Sequence, residues 1–230
     1  VTHPESCRES RRDCTFAGFS LYCCTTLMLI SYSNTMVRRP PVVAKAFALA
    51  ALLLSGCATP ALVPTSITDI DGRTHRLFGV ENTRGTVLIF IEKDCPIANR
   101  YAPEITRIAE QYAQFSFLLV QVDPDLTEAE ARRHAQEYAL RAPVTVDRNH
   151  TLVRLAGASV TPEAAIFSPD GQRLYLGRID DRSAGFGKTR PEPTRRDLRD
   201  SLDAILAGKP VPVATTKAIG CYIPDFARRP

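Results

Sequence analysis

The 230-residue chain is predicted to form an α/β domain in which a mixed central sheet carries helices on both faces. Two continuous apolar runs, at 86–91 and 115–122, have the length and β-branched content of strands that are buried on both faces. Apolar residues at helical spacing separate these runs, so strand and helix alternate in the first half of the domain. Two later runs joined through Pro169-Asp170-Gly171 predict an antiparallel pair, which makes the sheet mixed.

The elements before and around the first helix follow from local signals. Runs at 67–70 and 74–77 flank Asp71-Gly72, which predicts an N-terminal β-hairpin. Pro96 suits the first turn of a helix, because proline is tolerated where a backbone N–H has no partner. Pro103 lies further along the same helix, so we expect a kink near its start.

The second half of the domain begins with a helix signal. Thr127 and Glu130 have the spacing of a capping box, which opens a helix that extends to about Tyr138. Thr194 is expected to cap the last helix, which ends at Gly208. Between these helices we expect a strand at 144–146, a short helix at 152–156, and strands at 164–167 and 174–176.

Composition excludes several classes of protein. The net charge is only +4, and positive and negative residues are interleaved along the chain, which contains no tryptophan. The sequence therefore lacks the basic stripe with interleaved aromatic residues that is typical of nucleic-acid-binding proteins. Seven cysteines are present, but only Cys95 and Cys221 lie beyond residue 57. That distribution fits neither a disulfide framework nor a zinc site, which needs ligands in close pairs. No cofactor is expected.

The N-terminal part has the layout of a bacterial export signal. Positive charge at 36–39 precedes an apolar run at 46–54, which is too short to span a bilayer comfortably. The run ends in Leu54-Ser55-Gly56-Cys57, which resembles the lipobox of bacterial lipoproteins. The resemblance implies cleavage before Cys57, a lipid anchor on that residue, and a place on the periplasmic face of the cell envelope. Ala58 favours the outer membrane, and the alternative is an ordinary membrane anchor with an unmodified cysteine.

This interpretation divides the chain into five segments. Residues 1–35 are expected to be a non-native upstream extension, because a complete export signal follows them. The signal peptide occupies 36–56, and a Pro-containing tether occupies 57–66. The folded domain is expected over 67–210, and 211–230 form a C-terminal tail that contains Cys221.

Cys95 is the candidate reactive centre. It lies between a buried strand and the start of a helix, where free backbone N–H groups favour negative charge. A thiolate there is stabilised, so the thiol pKa should fall below its usual value of about 8.5. Lys93 would add to this effect if it pointed inward. The alternative is an inert, buried structural thiol.

The order of strand, Cys95-Pro96 and helix resembles the active-site start of the thioredoxin superfamily, over about residues 67–206. Val160-Thr161-Pro162 before a strand resembles that superfamily's cis-proline loop, and the segment Phe167–Gly171 resembles a hairpin of its extracytoplasmic redoxin branch. Within the superfamily the chain looks most like the peroxiredoxin-like, AhpC/TSA-like redoxin group. The resemblance implies a thioredoxin-like fold and attack by Cys95 on a protein disulfide or a small peroxide. Thr161 and Pro162 would then face the reactive cysteine, and Pro162 would present the partner's backbone.

The chain departs from these families at three positions. A thioredoxin motif would place its second cysteine at residue 98, where this chain has Ala98. A peroxiredoxin would have Thr or Ser three residues before its reactive cysteine and Pro four before that, where this chain has Glu92 and Leu88. Peroxidase activity is therefore less expected than thiol–disulfide exchange.

Cys221 is the candidate resolving cysteine. If the tail folds back along the sheet, Cys221 can pair with Cys95 in a disulfide, and an exported location favours such bonds. The alternative is a disordered tail with an incidental cysteine.

A second class of function remains open from the sequence. The domain would be a non-catalytic binding module, or would hold copper through His134 together with Cys95 and Cys221, since Cu(I) favours thiolates. His134 is otherwise expected to be a surface residue, and Pro162 an ordinary loop proline. The polar segment Arg178–Arg182 is expected to be a salt-bridged turn that could border the Cys95 cleft.

Overall fold

The computed structural model describes residues 64–224, and all elements below lie within that range. The predicted extension 1–35, the signal 36–56, Cys57 and the final residues 225–230 lie outside it. Within residues 64–224, no helix combines the length and the apolar character needed to cross a bilayer.

An N-terminal hairpin comes first, as predicted. Strands β1 (Ser66–Thr68) and β2 (Thr74–Arg76) pair antiparallel across the turn at Gly72, whose φ of 81° favours glycine. The hairpin is fastened to the edge of the main sheet, since the Ile70 N–H donates to the Val144 carbonyl at 2.8 Å.

The central sheet has five strands in the order β5-β4-β3-β7-β8. Strands β3, β4 and β5 run parallel, whereas β7 is antiparallel to both of its neighbours, so the sheet is mixed as expected. All six residues of β3 are buried, which matches its continuous apolar sequence. The bounds of these strands are Thr86–Ile91 for β3, Ser116–Gln121 for β4, Val144–Val146 for β5, Glu163–Phe167 for β7 and Arg173–Gly177 for β8.

Four helices cover the two faces of this sheet. They are α1 (Pro96–Gln111), α2 (Glu128–Glu137), α3 (Thr151–Ala156) and α4 (Asp197–Leu206). Alternate residues of β3 enter two separate cores: Val87 and Ile89 pack with residues of α1, α2 and α4, whereas Leu88 and Phe90 pack with residues of α3. The result is the thioredoxin-like arrangement that the sequence predicted.

The predicted helix caps at Thr127 and Thr194 can be compared directly with the structure. The capping box at Thr127 is present, with the Thr127 hydroxyl bonded to the Glu130 N–H and the Glu130 carboxylate to the Thr127 N–H. Pro103 lies inside α1, which continues beyond it as one element. The prediction that Thr194 caps the last helix is wrong, because α4 begins at Asp197. The Thr194 hydroxyl and N–H instead donate to the buried Asp181 carboxylate, at 2.5 and 2.7 Å.

Short strands that the sequence did not reveal complete the domain. Strand β6 (Val160–Thr161) precedes β7, and a small hairpin is formed by β9 (Ser183–Gly185) and β10 (Lys188–Thr189). Strand β11 (Cys221–Tyr222) in the tail pairs antiparallel with β6. The described part of the tail therefore folds back onto the domain and lies against β6.

Candidate redox site

Cys95 occupies the N-cap position of helix α1. Its Sγ accepts a hydrogen bond from the Ala98 N–H at 3.4 Å, and Pro96 follows in the first turn. This is the first-turn position where backbone N–H groups lack partners within the helix and the helix dipole is positive. The side chain is fully buried, so the sulfur meets these donors with little competition from water.

The loop before β7 faces Cys95 from the opposite side. The Cys95 thiol donates to the Thr161 carbonyl oxygen at 3.1 Å, and the peptide bond between Thr161 and Pro162 is cis. Thr161 is fully buried, and its hydroxyl has no well-aligned hydrogen-bond partner within residues 64–224. It still lies near enough to Cys95 to favour the ionised sulfur. Cys95 and Thr161 are thus brought into direct contact, with Pro162 next in the chain.

The tail places Cys221 in the same site. In the pairing of β11 with β6, Cys221 lies directly opposite Thr161. Its side chain and its backbone N–H both act as hydrogen-bond partners of the Cys95 sulfur. Cys95 and Cys221 are the two cysteines of the described residues, and both are free thiols. The fold therefore brings together Cys95, at the start of α1, and Cys221, in the C-terminal tail.

The two thiols are electrostatically unequal. Burial alone raises the pKa of Cys95, but the hydrogen bonds from Cys221 and Ala98, together with the nearby Thr161 hydroxyl, outweigh it and hold the pKa below its ordinary value. The pKa of Cys221 is raised, first by burial and then by its hydrogen bond to Cys95 and the charge on that sulfur. The half-buried Glu92 carboxylate adds to this rise. Of the pair, Cys95 therefore loses its proton first, and Cys221 keeps its proton to higher pH.

Lys93 does not take part in this stabilisation. The condition for such support, a Lys93 side chain that points inward, is not met, because its Nζ pairs with the exposed Asp94 carboxylate at 2.8 Å. The same turn also carries Glu92, whose pKa is raised by burial and by repulsion from Asp123 and Asp94. The lowered pKa of Cys95 thus rests on hydrogen bonds rather than on a neighbouring cation.

His134 supports the turn that carries Cys95. It is buried, so the expectation of a surface residue is wrong. Its ring Nδ1 accepts from the Gln121 amide at 2.9 Å, and its Nε2 lies 2.8 Å from Asn99 Oδ1. Asn99 in turn donates its side-chain amide to the Lys93 carbonyl at 2.7 Å. Burial lowers the pKa of His134, which keeps the ring neutral and suited to this pattern of one acceptor and one donor.

These contacts also bear on the copper alternative. Both ring nitrogens of His134 are engaged by Gln121 and Asn99, rather than directed at Cys95 and Cys221. Within the described part of the chain, no three His, Cys, Asp or Glu residues form a group that could hold a metal ion. The geometry gives no support to a site formed by His134 with the two cysteines.

Two residues that support the site around Cys95 were not predicted from the sequence. The buried Glu163 carboxylate accepts the Ser159 N–H at 2.8 Å and so holds the loop before β7, although burial raises its pKa. Gly220 is packed so tightly that a Cβ there would overlap the carbonyl of Thr161. A glycine immediately before Cys221 is the one local feature that could have suggested such a close approach.

The polar segment 178–182 is a salt-bridged turn, as expected. Arg178 Nε binds the Asp197 carboxylate at 2.7 Å, which ties the turn to the start of α4. Asp180 accepts the Tyr101 hydroxyl at 2.5 Å, and Tyr101 also accepts the Ser183 N–H at 3.3 Å. The β9–β10 hairpin is thereby fixed to the second turn of α1, near Cys95.

Comparisons with known proteins match the region that contains the Cys95 site. A model of the AhpC/TSA family matches residues 58–172, which include Cys95, Thr161 and Pro162 and stop before the tail. Among curated proteins, the chain is similar to the thiol-disulfide oxidoreductase ResA of Bacillus thuringiensis (strain Al Hakam) and of Bacillus anthracis, each 21% identical over 106 residues. That alignment covers 46% of this chain and 61% of either relative, so the chain spans less than two thirds of their length.

Two solved structures are similar over most of the chain. An uncharacterized conserved protein from Geobacillus kaustophilus superposes with a TM-score of 0.60 at 27% identity, covering 74% of this chain and 93% of that one. A hypothetical protein from Sinorhizobium meliloti 1021 superposes with a TM-score of 0.59 at 24% identity, covering 69% and 88%. The second likeness concerns the fold alone.

Proposed function

This chain belongs to the AhpC/TSA family, and we propose that it is a thiol–disulfide oxidoreductase whose redox pair is Cys95 and Cys221. The observation that carries the proposal is that both cysteines meet at Thr161: Cys221 lies opposite it in the pairing of β11 with β6, and Cys95 Sγ lies 3.1 Å from its carbonyl oxygen. The lowered pKa of Cys95 and the raised pKa of Cys221 agree with this arrangement. A thiolate is the attacking species in disulfide exchange, and a second thiol beside it can resolve the product. The similarity to proteins named thiol-disulfide oxidoreductase supports the same reaction.

The proposed cycle uses two exchanges. The Cys95 thiolate attacks one sulfur of a partner disulfide; that S–S bond breaks, and the partner's other sulfur leaves as a thiolate and takes a proton. Cys221 then loses its proton and attacks Cys95 Sγ, and the partner's remaining sulfur departs. The partner gains two electrons as a dithiol, and Cys95 and Cys221 become a disulfide. An external dithiol returns the pair to its reduced state.

Disulfides are favoured over peroxides as the oxidant. The positions that carry hydroxyl and proline in peroxiredoxins hold Glu92 and Leu88 here. Leu88 packs in the core on the opposite face of the sheet, and Glu92 brings a carboxylate toward the thiol pair. A negative group beside the sulfur does not assist the departure of a hydroxide-like leaving group. Cys95 is therefore expected to react faster with a small disulfide than with hydrogen peroxide.

One experiment tests the redox pair. The reduced full-length protein is mixed with hydroxyethyl disulfide, and the products are mapped by peptide mass. A Cys95–Cys221 disulfide is expected, and Cys221→Ser should instead accumulate an adduct on Cys95. Cys57→Ser serves as the matched control and should leave the disulfide unchanged. If both thiols stay free while hydroxyethyl disulfide is in excess, the proposal is wrong.

We also propose that the domain is lipid-anchored through Cys57 on the periplasmic face of a bacterial envelope, with the outer membrane favoured. The support is the sequence order of positive charge, short apolar run, Leu54-Ser55-Gly56 and Cys57. Metabolic labelling with a palmitate analogue should mark the wild type and not Cys57→Ser. Labelling that persists in the variant, or is absent from the wild type, contradicts the anchor.

A further inference from the structure

Cys95 has no exposed surface although the proposed function requires it to meet a partner. Strand β11 of the tail lies on β6 beside it, with Cys221 opposite Thr161, the residue whose carbonyl accepts the Cys95 thiol. We propose that residues 218–224 are a displaceable lid over Cys95, and that a partner's extended cysteine-bearing segment takes their place on β6. This inference rests on the proposed function, because it identifies how the same thiol is covered and what kind of partner uncovers it.

The tail is fastened firmly upstream of the lid. The Leu176 N–H donates to the Ala214 carbonyl at 3.0 Å, and the Thr216 N–H donates to the Leu176 carbonyl at 3.1 Å. The Thr216 hydroxyl lies 2.7 Å from the Tyr175 hydroxyl and accepts the Arg178 N–H at 3.1 Å. Beyond Thr216 the exposed Lys217 leads into the lid. The anchored strand and the lid are therefore separate segments joined at a solvent-exposed residue.

Among residues 64–224, the lid is held by a short ladder, one further hydrogen bond and a few apolar side chains. Its ladder with β6 is only two residues long, and one further hydrogen bond joins the Ile223 N–H to the Ser159 carbonyl at 3.0 Å. Ile219 and Cys221 pack against the core that contains α1, and Ile223 packs against the core that contains α3, whereas Tyr222 is 77% exposed. A ladder of two residue pairs opens at lower free-energy cost than the central sheet, where β3 alone pairs with β4 over six residues. The lid can therefore leave while the domain stays folded.

Gly220 explains how closely the lid is seated. A Cβ at this position would overlap the carbonyl carbon and oxygen of Thr161 and lie 3.2 Å from the Pro162 nitrogen. The lid's backbone thus lies directly on the Thr161–Pro162 peptide, with no room for a side chain. A substitution here acts on the lid's contact with the loop and leaves the upstream anchor at Thr216 in place.

The edge that the lid covers indicates the kind of partner. When β11 leaves, the backbone groups of Val160 and Thr161 that pair with it lose their partners. Such a free strand edge is satisfied by an extended polypeptide, which adds as a strand. The lid shows the register, since the residue opposite Thr161 is a cysteine whose side chain reaches Cys95. Forming the Cys95–Cys221 disulfide would hold the lid shut, so the reduced protein is the form that opens.

The test measures access to Cys95 in the reduced full-length protein. Iodoacetamide labelling is followed over time and over a pH series, and peptide mass mapping assigns the label to Cys95. Gly220→Ala is expected to raise the pH-independent labelling rate of Cys95 by at least about tenfold, because it disfavours the closed lid. Gly185→Ala is the matched control, since a Cβ there meets no atom closer than 3.9 Å, and it should label like the wild type.

A second variant guards against a general loss of structure. Ile223→Ala removes an apolar contact of the lid without a backbone clash, and should raise the labelling rate by a smaller factor. Thermal unfolding of both variants shows whether the domain remains folded. If neither variant accelerates labelling while both fold, the lid proposal is overturned, even where the wild type reduces disulfides. Faster labelling without disulfide reduction would instead sustain the lid and reject the proposed function.

Discussion

Asn99 and His134 connect helix α2 to the turn that carries Cys95. The side chain of Asn99 lies between the ring Nε2 of His134, at 2.8 Å, and the Lys93 carbonyl, at 2.7 Å. The backbone N–H of Asn99 also donates to the Cys95 carbonyl at 3.0 Å. One residue thus holds both sides of the N-cap turn, and its position depends on a buried histidine in another helix.

Replacing Asn99 by alanine should destabilise the domain. The change removes the bond to the Lys93 carbonyl and leaves the buried His134 N–H without an acceptor. We expect a loss of about 1–3 kcal/mol in the free energy of unfolding, measured with urea. Asn149→Ala, at an exposed turn position, is the control and should change stability by less than about 0.5 kcal/mol. Equal effects in the two variants would contradict the bridging role.

His134 should make the domain less stable in acid. Burial lowers its pKa in the folded state, so the unfolded chain takes up the proton first. Its contribution to stability is therefore complete above the unfolded pKa of about 6.5 and is lost as the pH falls through the lower folded value. Chemical denaturation over a pH series should show this loss in the wild type and a flatter profile in His134→Gln. Profiles of identical shape would refute the assignment to His134.

Removing the thiol donor at Cys221 should raise the pKa of Cys95. The Cys221 side chain lowers that pKa by hydrogen bonding, and Cys221→Ala has no donor to replace it. Cys221→Ser keeps a hydroxyl and should raise the pKa less. The pH midpoint of Cys95 alkylation, assigned by peptide mapping, measures the shift separately from the rate. A midpoint that does not move in Cys221→Ala would mean that the N-cap position alone sets the pKa.

Tyr101→Phe should loosen the β9–β10 hairpin. The Tyr101 hydroxyl donates to Asp180, whose other carboxylate oxygen is buried without a partner in the described residues. Losing a hydrogen bond to a buried charged group costs about 1.5–3 kcal/mol. Urea unfolding measures the cost, and amide exchange at Ser183 reports on the hairpin, since its N–H donates to the same hydroxyl. Tyr222→Phe, at an exposed site, should leave both measurements unchanged.

Local sequence patterns were sufficient for most of the fold. Both buried apolar runs became central strands, Pro96 begins α1, and the box at Thr127 caps α2. The prediction that Thr194 caps the last helix failed because the Thr194 hydroxyl donates to Asp181, which lies 13 residues away in the chain. A capping signal is read over a few residues, so a competing long-range carboxylate is invisible to it.

The prediction that His134 is a surface residue failed for a related reason. Its neighbours Arg132 and Arg133 are polar, which suggested a surface position, yet the ring turns inward between β4 and α1. The partners that bury it, Gln121 and Asn99, stand on two other elements. Helical periodicity in a largely polar segment carried too little signal to decide which side of α2 faces the sheet.

The sequence by itself determined that Cys95 lies at a helix start after a buried strand, that Thr161-Pro162 stands before another strand, and that residue 98 is not a cysteine. These features depend on neighbours in the chain, where spacing and residue type dictate conformation. Only the tertiary structure decided where Cys221 lies relative to Cys95. The tail pairs with β6 and brings Cys221 to Cys95 through backbone hydrogen bonds, which any residue type can make. Backbone pairing between distant segments leaves almost no trace in side-chain pattern. The sequence therefore left two alternatives open, a tail that folds back and a disordered one, and the folded chain shows the first.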